Sequence, residues 1–514
     1  MKELSPQSKI KPENINEAQW QAVEFRGGHL LIVAGPGTGK THTLTHRIAR
    51  IARELTPFEN ILAITFTNRA AHEMKERLKQ AMGQELKQIF VGTFHSFCLK
   101  LLRDHIEQTD LPREFCMASK EDIDKIGQQL WPDEKKRSRK DLLNEISSLK
   151  TKLLFTDVSE YALKFNRLLR SKNLLDFDDL LLESLRLLKD NKVVCEKIRQ
   201  QYRHIFVDEY QDINALQHRL LALLVSGENF LTAIGDPNQA IYSFRGSDVR
   251  YFESFKEDFP GASILSLTQN YRSAPNLLEA SGQVMSKARN SFIPDLTAKI
   301  YTEGHLTIYE APTDKAEAEY VVHQVERLVG GTAMFSQDSK RVSYEHEARY
   351  SFGDIAVLYR LHAQKKYLQE AFARSGIPFS EHYEYFDDPQ EFEDQYKEKS
   401  ESISLLTLHA AKGCEFPVVF MVGCEKNLLP LAIEGFSSSE EEERRLFYVG
   451  MTRAKKRLYL ARAKRRFIFG QHYENQASAF LSDIEEKLKA YEKGQSQKGP
   501  SKKQREKQQL KLFK

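Results

Sequence analysis

A glycine-rich octapeptide, Ala34-Gly35-Pro36-Gly37-Thr38-Gly39-Lys40-Thr41, constrains the fold of this chain more than any other stretch. The apolar run before it reads as a short buried strand, and residues 43–51 after it have helical spacing. Glycines let backbone N–H groups converge without Cβ clashes, and the helix N-terminus adds a partial positive charge. A strand, a glycine-rich turn and a helix in this order predict a phosphate-binding loop rather than a chance turn.

Two side chains of this loop have predicted roles at a nucleotide. Lys40 would reach the β- and γ-phosphates of ATP, and the Thr41 hydroxyl would bind Mg²⁺. Ala34 occupies the position where the pattern G-x-x-x-x-G-K-[ST] has its first glycine. Despite that departure, the loop predicts the use of ATP and Mg²⁺.

A pair of adjacent carboxylates predicts the second half of a nucleotide site. The apolar run 204–207 leads directly into Asp208 and Glu209, so both acids end a predicted strand. Asp208 would anchor Mg²⁺, and Glu209 would polarise the attacking water as a general base. Gln239 follows the next apolar run, and it could contact the γ-phosphate directly or through that water.

Apolar runs alternate with helical segments, which predicts an α/β fold with parallel sheets. Functional groups of such sheets gather at the carboxyl ends of the strands. Polar and aromatic residues follow several of the runs, as expected for stacking and phosphate contacts with a nucleic-acid strand. These residues are Phe66, Thr93, His95, Tyr242, Phe244 and Arg245. Ordinary loop chemistry is the alternative for the first three.

Gln19 lies upstream of the phosphate loop, on a segment that Asn14 or Asn16 could cap as a short helix. A glutamine amide offers a donor and an acceptor together, which suits the edge of an adenine. The alternative is a surface glutamine on an N-terminal helix.

The bulk composition excludes several classes of protein. A chain of 514 residues is expected to form more than one domain. Its five cysteines are scattered and never form a C-x-x-C pair, which argues against a zinc site, an iron–sulfur cluster or a disulfide framework and favours a reducing compartment. Neither a leader-like N-terminus nor a membrane-spanning run is apparent, so a soluble cytoplasmic protein is expected.

Taken together, the phosphate loop, the carboxylate pair and the segment from Gln239 to Arg245 resemble motifs of the UvrD/Rep/PcrA helicases of superfamily one. Three further stretches resemble the fourth, fifth and sixth motifs of that family. They are Leu267-Thr268-Gln269-Asn270-Tyr271-Arg272-Ser273, Thr407-Leu408-His409-Ala410-Ala411-Lys412-Gly413-Cys414-Glu415-Phe416 and Glu442-Glu443-Arg444-Arg445-Leu446-Phe447-Tyr448-Val449-Gly450-Met451-Thr452-Arg453-Ala454. The resemblance implies two RecA-like motor domains with ATP between them and single-stranded DNA across the top of both.

The resemblance also implies roles for individual residues. Gln19 would read adenine while Tyr271 stacks on it, and Glu415 would bond the ribose. Arg272 and Arg453 would reach the γ-phosphate, where guanidinium groups stabilise the charge of the transition state. His409 and Phe469 would join the DNA contacts. The family moves 3′ to 5′ along one strand.

Domain boundaries follow from the motifs and from changes in composition. The predicted ranges are 1–97 and 171–262 for the first motor domain, 98–170 for a helical insertion, and 263–380 and 402–485 for the second motor domain. Residues 381–401 are too few to form the large 2B subdomain that the family inserts here, which makes translocation a safer expectation than processive unwinding. His42 and Phe244 depart from the arginine and tryptophan usual in the family.

The C-terminal residues 486–514 form a predicted disordered basic tail. It ends in a peptide that resembles the bacterial sliding-clamp-binding motif through Gln509, Leu510, Leu512 and Phe513. A frayed terminus is the alternative.

The sequence as a whole therefore predicts an ATP-dependent 3′-to-5′ DNA translocase or helicase in repair or replication. The alternative is a clamp-tethered adaptor whose DNA-stimulated ATPase does not drive processive unwinding. A helicase–nuclease is disfavoured, and RNA as the strand stays open.

Overall fold

A computed structural model describes residues 11–83, 88–151, 160–289, 296–330, 350–381, 401–433 and 438–493. The chain forms two compact units: residues 1–271 with 292–297, and residues 272–291 with 298–514. The predicted 2B remnant, apart from its two end residues, lies outside the described residues, as does the predicted clamp-binding peptide.

The first unit is built on a six-stranded sheet in the order β3-β2-β6-β7-β1-β8, in which every strand pair is parallel. The strands of this sheet are β1 (Leu30–Ala34), β2 (Ile61–Thr65), β3 (Phe90–Thr93), β6 (His204–Val207), β7 (Phe230–Gly235) and β8 (Ser263–Leu267). Three short strands of the unit lie outside it: β4 (Cys116–Met117) and β5 (Leu174–Leu175), which pair with each other, and β9 (Gln269–Asn270). All carboxyl ends of the parallel strands therefore lie along one edge.

The helices of the first unit are α1 (Glu17–Glu24), α2 (Lys40–Glu54), α3 (Asn68–Met82), α4 (Phe94–Asp104), α5 (Lys120–Leu130), α6 (Lys136–Thr151), α7 (Glu160–Ser171), α8 (Phe177–Asp190), α9 (Lys192–Gln201), α10 (Ala215–Leu224), α11 (Arg250–Glu253) and α12 (Phe255–Asp258). They cover both faces of the sheet. Leu31 and Val33 face a core with α4 and α8, whereas Leu30 and Ile32 face a second core with α2. This alternation follows from the two-residue period of a strand that is buried on both faces.

The predicted helical insertion contains α5, α6 and α7, which have a small core of their own. That core includes Ile126, Ile146, Phe165 and Leu169. It explains why apolar residues recur at helical spacing in an otherwise charged stretch.

The second unit has an eight-stranded sheet in the order β13-β14-β12-β15-β16-β11-β18, with β17 paired antiparallel to β16. Its strands are β11 (His305–Thr313), β12 (Ile355–Tyr359), β13 (Phe379–Glu381), β14 (Ile403–Thr407), β15 (Phe416–Met421), β16 (Ala454–Ile468), β17 (Gln471–Glu474) and β18 (Ala490–Lys493). The short strand β10 (Thr297–Ala298) lies outside this sheet, at the point where the chain returns to the second unit. Its helices are α13 (Pro275–Met285), α14 (Asp314–Val329), α15 (Lys365–Arg374), α16 (Glu440–Met451) and α17 (Ala479–Ser482). The parallel first sheet and the mostly parallel second sheet agree with the predicted α/β fold class.

Two predicted boundaries are wrong. Residues 263–267 form β8, which pairs with β1 from Leu30 to Ala34 and so belongs to the first unit, not to the second. Disorder from residue 486 is also wrong for 486–493, because β18 pairs with β11 at the edge of the second sheet. The Tyr320 hydroxyl donates to Glu492 Oε2 over 2.8 Å and supports this strand. Both errors concern strands whose pairing partner is far away in the sequence.

Among the described residues, none of the helices has the length and the apolar character that crossing a membrane would need.

Candidate nucleotide and strand sites

The phosphate loop joins the buried strand β1 to α2, and its backbone is held open for an anion. Gly39 has a φ of 83°, in the left-handed region that favours glycine, and the helix begins at the next residue. The buried Thr38 hydroxyl donates to Gly35 O over 2.8 Å. Lys40 Nζ donates to Ala34 O at 3.1 Å and to Gly35 O at 3.3 Å. The ammonium group thus folds over the loop, where it would meet phosphate oxygens.

Asp208 and Glu209 lie at the carboxyl end of β6, as predicted. Asp208 is buried, and its Oδ1 accepts a hydrogen bond from the Glu209 amide at 2.9 Å. Glu209 has a φ of 50°, a strained conformation for a residue with a side chain. Burial, and then the nearby charge of Glu209, raise the pKa of Asp208 to about 7, although Lys40 acts in the opposite direction. The site therefore has a carboxylate whose negative charge is poorly compensated.

The residues present fit a magnesium ion bound together with a triphosphate. Thr41 and Asp208 offer a hydroxyl and a carboxylate oxygen, which are the hard ligands that Mg²⁺ takes. A nearby divalent cation would also lower the pKa of Asp208, because its positive charge stabilises the ionised carboxylate. Within the described part of the chain, no cluster of three or more His, Cys, Asp or Glu side chains could hold a metal ion.

Gln239 lies in a short 3₁₀ turn after β7, and it is oriented by a buried carboxylate that the sequence analysis did not single out. Its Nε2 donates to Asp236 Oδ2 over 2.6 Å, and both side chains are buried. Burial raises the pKa of Asp236, and Lys40 partly offsets this effect. The apolar run followed by Gly235-Asp236 was a signal available in the sequence, since it repeats the pattern at Asp208.

Gln19 is buried against the phosphate loop, and both ends of its amide have protein partners. Its Nε2 donates to Thr38 O over 2.9 Å, while its Oε1 accepts from the Asn16 amide at 3.0 Å. The structure thus gives Gln19 a role in holding the loop; contact with adenine stays a prediction. Asn16 caps α1, as one of the two predicted alternatives proposed.

Tyr271 lies beside the same end of the phosphate loop within the first unit. Its backbone N–H donates to Gly37 O at 2.9 Å, and its hydroxyl accepts from Asn16 Nδ2 at 2.9 Å. The side chain is 47% exposed. An exposed ring held in this way could stack on a nucleobase, so the structure brings Gln19 and Tyr271 together. His42 is half-buried nearby and packs edge-on against His46 at 4.4 Å.

Aromatic and cationic groups form a continuous surface at the edge of the first sheet. Phe66 and Tyr242 are stacked, with ring centroids 5.4 Å apart and planes 14° apart. Phe244, which is 61% exposed, packs on Tyr242 at 6.0 Å. The Arg245 guanidinium lies 5.2 Å and 5.5 Å from the two ring centroids. The structure therefore brings these four predicted DNA-contact residues into one cluster.

Thr93 and His95 lie near this edge, but their local contacts restrict what they could do there. Thr93 is buried, and its hydroxyl caps α4 by accepting from the Ser96 amide at 3.2 Å. Burial lowers the pKa of His95 to about 4, so the imidazole is neutral at physiological pH and adds no positive charge. Their contacts with DNA stay predictions.

Phe177 is an aromatic residue that the sequence analysis missed. It begins α8, is 49% exposed, and packs edge-on against His95 at 5.5 Å. The exposed ring makes it a further candidate for strand stacking. Its only sequence signal is an aromatic residue in a helix's first turn, directly after the capping residue Asp176.

Arg272 and Glu415 are bound to each other in the second unit. Arg272 Nε donates to Glu415 Oε2 over 2.7 Å, and Lys455 Nζ lies 2.5 Å from Glu415 Oε1. Partial burial acts to raise the pKa of Glu415, but the charges of Arg272 and Lys455 outweigh it and leave that pKa below its usual value. Glu415 is therefore a stable carboxylate between two cations.

Arg453 is buried at the end of α16. Its Nε donates to Val449 O at 2.9 Å, and its two terminal nitrogens donate to Cys414 O and to Thr452 Oγ1, both at 3.1 Å. A cation at this end of a helix is also favoured by the helix dipole. These contacts hold the guanidinium against the end of its helix, and its role at the γ-phosphate stays a prediction.

The two remaining predicted DNA contacts lie at separate places in the second unit. His409 is half-buried in the turn after β14. Phe469 lies at the tip of the hairpin between β16 and β17, has a φ of 53°, and is 52% exposed. Asp314 Oδ2 accepts from the Phe467 amide at 2.8 Å and thereby braces the hairpin near that tip.

Comparisons with known proteins match nearly the whole of the described chain. The sequence profile of the UvrD/REP helicase N-terminal domain matches residues 15–260. The profile of the UvrD-like helicase C-terminal domain matches residues 265–394 and 389–465, in two pieces that meet near the predicted 2B remnant.

Individual relatives support the same family. The chain is 27% identical to the ATP-dependent DNA helicase PcrA of Staphylococcus epidermidis, over 93% of this chain and 87% of that protein. The Staphylococcus aureus protein of the same name is also 27% identical, over 92% of this chain and 87% of its own length. Each alignment runs over 651 positions, more than the 514 residues here, so these relatives carry internal residues that this chain lacks.

Proposed function

Because the chain belongs to the UvrD-like helicases, we propose that it is an ATP-dependent translocase that moves 3′ to 5′ along single-stranded DNA, in repair or replication. One observation carries most of the weight: a phosphate loop with two carboxylates and a cluster of half-buried and exposed aromatic residues share one edge of the same parallel sheet. A nucleotide bound at one part of that edge would lie close to a strand bound at the other.

The hydrolytic step assigns a task to each residue of the nucleotide site. Lys40 binds the phosphates, and Glu209 takes a proton from the water whose oxygen attacks the γ-phosphorus, while the bond to the β-phosphate oxygen breaks and ADP leaves. Mg²⁺, held by Thr41 and Asp208, would neutralise charge on the phosphates. Arg272 and Arg453 are assigned to the γ-phosphate, and Glu415 to the ribose.

The proposed contacts with DNA can be assigned residue by residue in the same way. Bases stack on Phe66, Tyr242, Phe244 and Phe469, and Arg245 pairs with a phosphate. Thr93, His95 and His409 complete the predicted set. Stacking is tolerant of sequence, which suits a protein that moves along any strand.

A second candidate function is a clamp-tethered adaptor with a DNA-stimulated ATPase and no processive unwinding. Two observations favour it. Relatives carry internal residues that this chain lacks. The profile of the C-terminal helicase domain matches this chain as two segments, 265–394 and 389–465, which overlap at the predicted 2B remnant. The tail peptide with Gln509, Leu510, Leu512 and Phe513 would provide the tether. Deleting residues 509–514 should abolish capture by a purified sliding clamp without altering ATP turnover; equal capture of both forms would remove the tether.

Direct assays of movement separate the two candidates. ATP-driven displacement of streptavidin from oligonucleotides biotinylated at either end measures translocation, and a 3′-tailed duplex measures unwinding. The translocase predicts fast displacement from the 5′ end alone, because a 3′-to-5′ motor runs toward that end. Strand-stimulated ATP turnover without displacement from either end would favour the adaptor. A ribonucleotide strand in parallel tests the choice between DNA and RNA.

A further inference from the structure

Gln211 is a fully buried glutamine, two residues after Glu209, that no prediction above includes. Its side-chain Nε2 donates to Glu209 Oε2 over 2.5 Å. Its Oε1 accepts from the backbone N–H of Asp236 at 2.9 Å. One amide therefore joins the end of β6, where the predicted base lies, to the end of β7.

The protein backbone is shaped around this amide. A Cβ atom at Gly235 would lie 2.2 Å from Gln211 Oε1 and 3.2 Å from the Tyr210 backbone nitrogen. Any side chain at Gly235 would thus displace Gln211 or shift the backbone. The glycine at the end of β7 is explained by the close approach of Gln211.

Each end of the bridge leads to a different site. On one side, Gln211 holds the carboxylate of Glu209, whose backbone is strained at a φ of 50°. On the other side, Asp236 binds Gln239, and the chain then passes through the buried Ile241 to Tyr242, which stacks on Phe66. Only five residues, 237–241, lie between Asp236 and Tyr242, so a shift of the aromatic cluster can reach the Asp236 amide.

We propose that Gln211 is a positioning residue that couples strand binding at Tyr242 to the orientation of the Glu209 carboxylate. The proposal rests on the translocase function above. A strand that moves Tyr242 shifts the Asp236 amide, and Gln211 transmits this shift to the base. Gln211 itself does not contact the reacting atoms; it acts through Glu209.

The test compares ATP turnover with and without a saturating oligonucleotide of deoxythymidine, together with the Kd of that oligonucleotide from fluorescence anisotropy. Gln211→Met removes the hydrogen bonds to Glu209 and Asp236, together with the longer one from Nε2 to Asp212 Oδ2 at 3.4 Å, and keeps an unbranched side chain of similar length. Gln211→Asn keeps the amide but is one methylene too short to span both partners. The matched control is Gln217→Met, a buried glutamine whose Oε1 accepts from the Asn214 amide within the cap of α10.

In both Gln211 variants, we expect the stimulation of ATP turnover by the oligonucleotide to fall about tenfold, which is within the usual range of coupling between sites. The oligonucleotide Kd of both variants should stay at the wild-type value. Gln217→Met should keep the wild-type stimulation. The proposal is overturned if the Gln211 variants are stimulated as strongly as wild type, or if their basal and stimulated turnover fall by the same factor. A wild-type protein without any stimulation would instead refute the translocase function itself.

Discussion

Arg272 and Glu415, predicted to contact opposite parts of one nucleotide, form an ion pair with each other: Nε of Arg272 lies 2.7 Å from Oε2 of Glu415. Lys455 binds the other carboxylate oxygen. The ion pair holds both side chains in place. A ribose hydroxyl would have to compete with these cations for the carboxylate, and Arg272 would have to leave it to meet a phosphate.

Glu415→Gln should reduce the preference for ATP over 2′-deoxyATP. A hydrogen bond from the ribose to a charged group contributes about 1.5–3 kcal/mol, so the ratio of the two kcat/KM values should fall about tenfold or more. Steady-state hydrolysis of both nucleotides measures this ratio. Glu440→Gln, an exposed change in the first turn of α16, serves as the control. An unchanged ratio in Glu415→Gln would exclude the ribose contact.

Phe244→Ala should weaken the binding of single-stranded DNA. Removing a stacking ring costs about 1–3 kcal/mol, which corresponds to a Kd raised roughly 5- to 150-fold. Phe244→Trp should preserve or tighten binding, since the indole offers a larger face. Fluorescence anisotropy with a labelled oligonucleotide gives the values. Tyr301→Ala, which removes a ring that is 87% exposed, is the control, and equal Kd values for both alanine variants would refute the stacking surface.

The first unit should lose folding stability in mild acid because its folded state keeps His204 unprotonated. Burial lowers the pKa of His204 to about 4, with smaller contributions from Arg47 and Arg203. Below its unfolded pKa of about 6.5 the unfolded state binds the proton and the folded state does not, so stability is lost as the pH falls from about 6.5 towards 4. His204 stacks on Phe230 at 5.1 Å, and His204→Phe keeps an aromatic ring there.

Urea unfolding at pH 7 and at pH 5 measures this effect. His204→Phe should lose less stability than wild type between the two values, by about 1–2 kcal/mol. His472→Phe, a change at an exposed ring of the second unit, is the control. An identical loss in wild type and His204→Phe would mean that the imidazole titrates normally in the folded state.

The predictions of local structure from sequence agree with the fold where a motif and the strand that precedes it are adjacent in the sequence. The phosphate loop and the pair Asp208-Glu209 each combine a buried run with adjacent polar residues, so the strand and the turn that follows it can be predicted together, while the roles of these residues stay predictions. The cluster of Phe66 and Tyr242 also follows, because parallel strands end along one edge.

Other features depend on contacts that no local pattern encodes. That β8 pairs with β1 and β18 with β11 is decided by tertiary packing of distant segments. The partners of Gln19, the cap formed by Thr93 and the bridge made by Gln211 depend on where neighbouring backbone groups lie. A sequence gives the residue type at each position but not the carbonyl or amide that it meets.

The replacement Lys40→Ala tests the central claim most directly, that a triphosphate held by the phosphate loop drives movement along a strand. ATP turnover and oligonucleotide binding are to be measured on the same preparation. We predict that turnover with a saturating strand falls at least about a hundredfold, as expected when a charge that stabilises the transition state is lost, while the oligonucleotide Kd stays near the wild-type value. Unimpaired hydrolysis by Lys40→Ala would contradict the account.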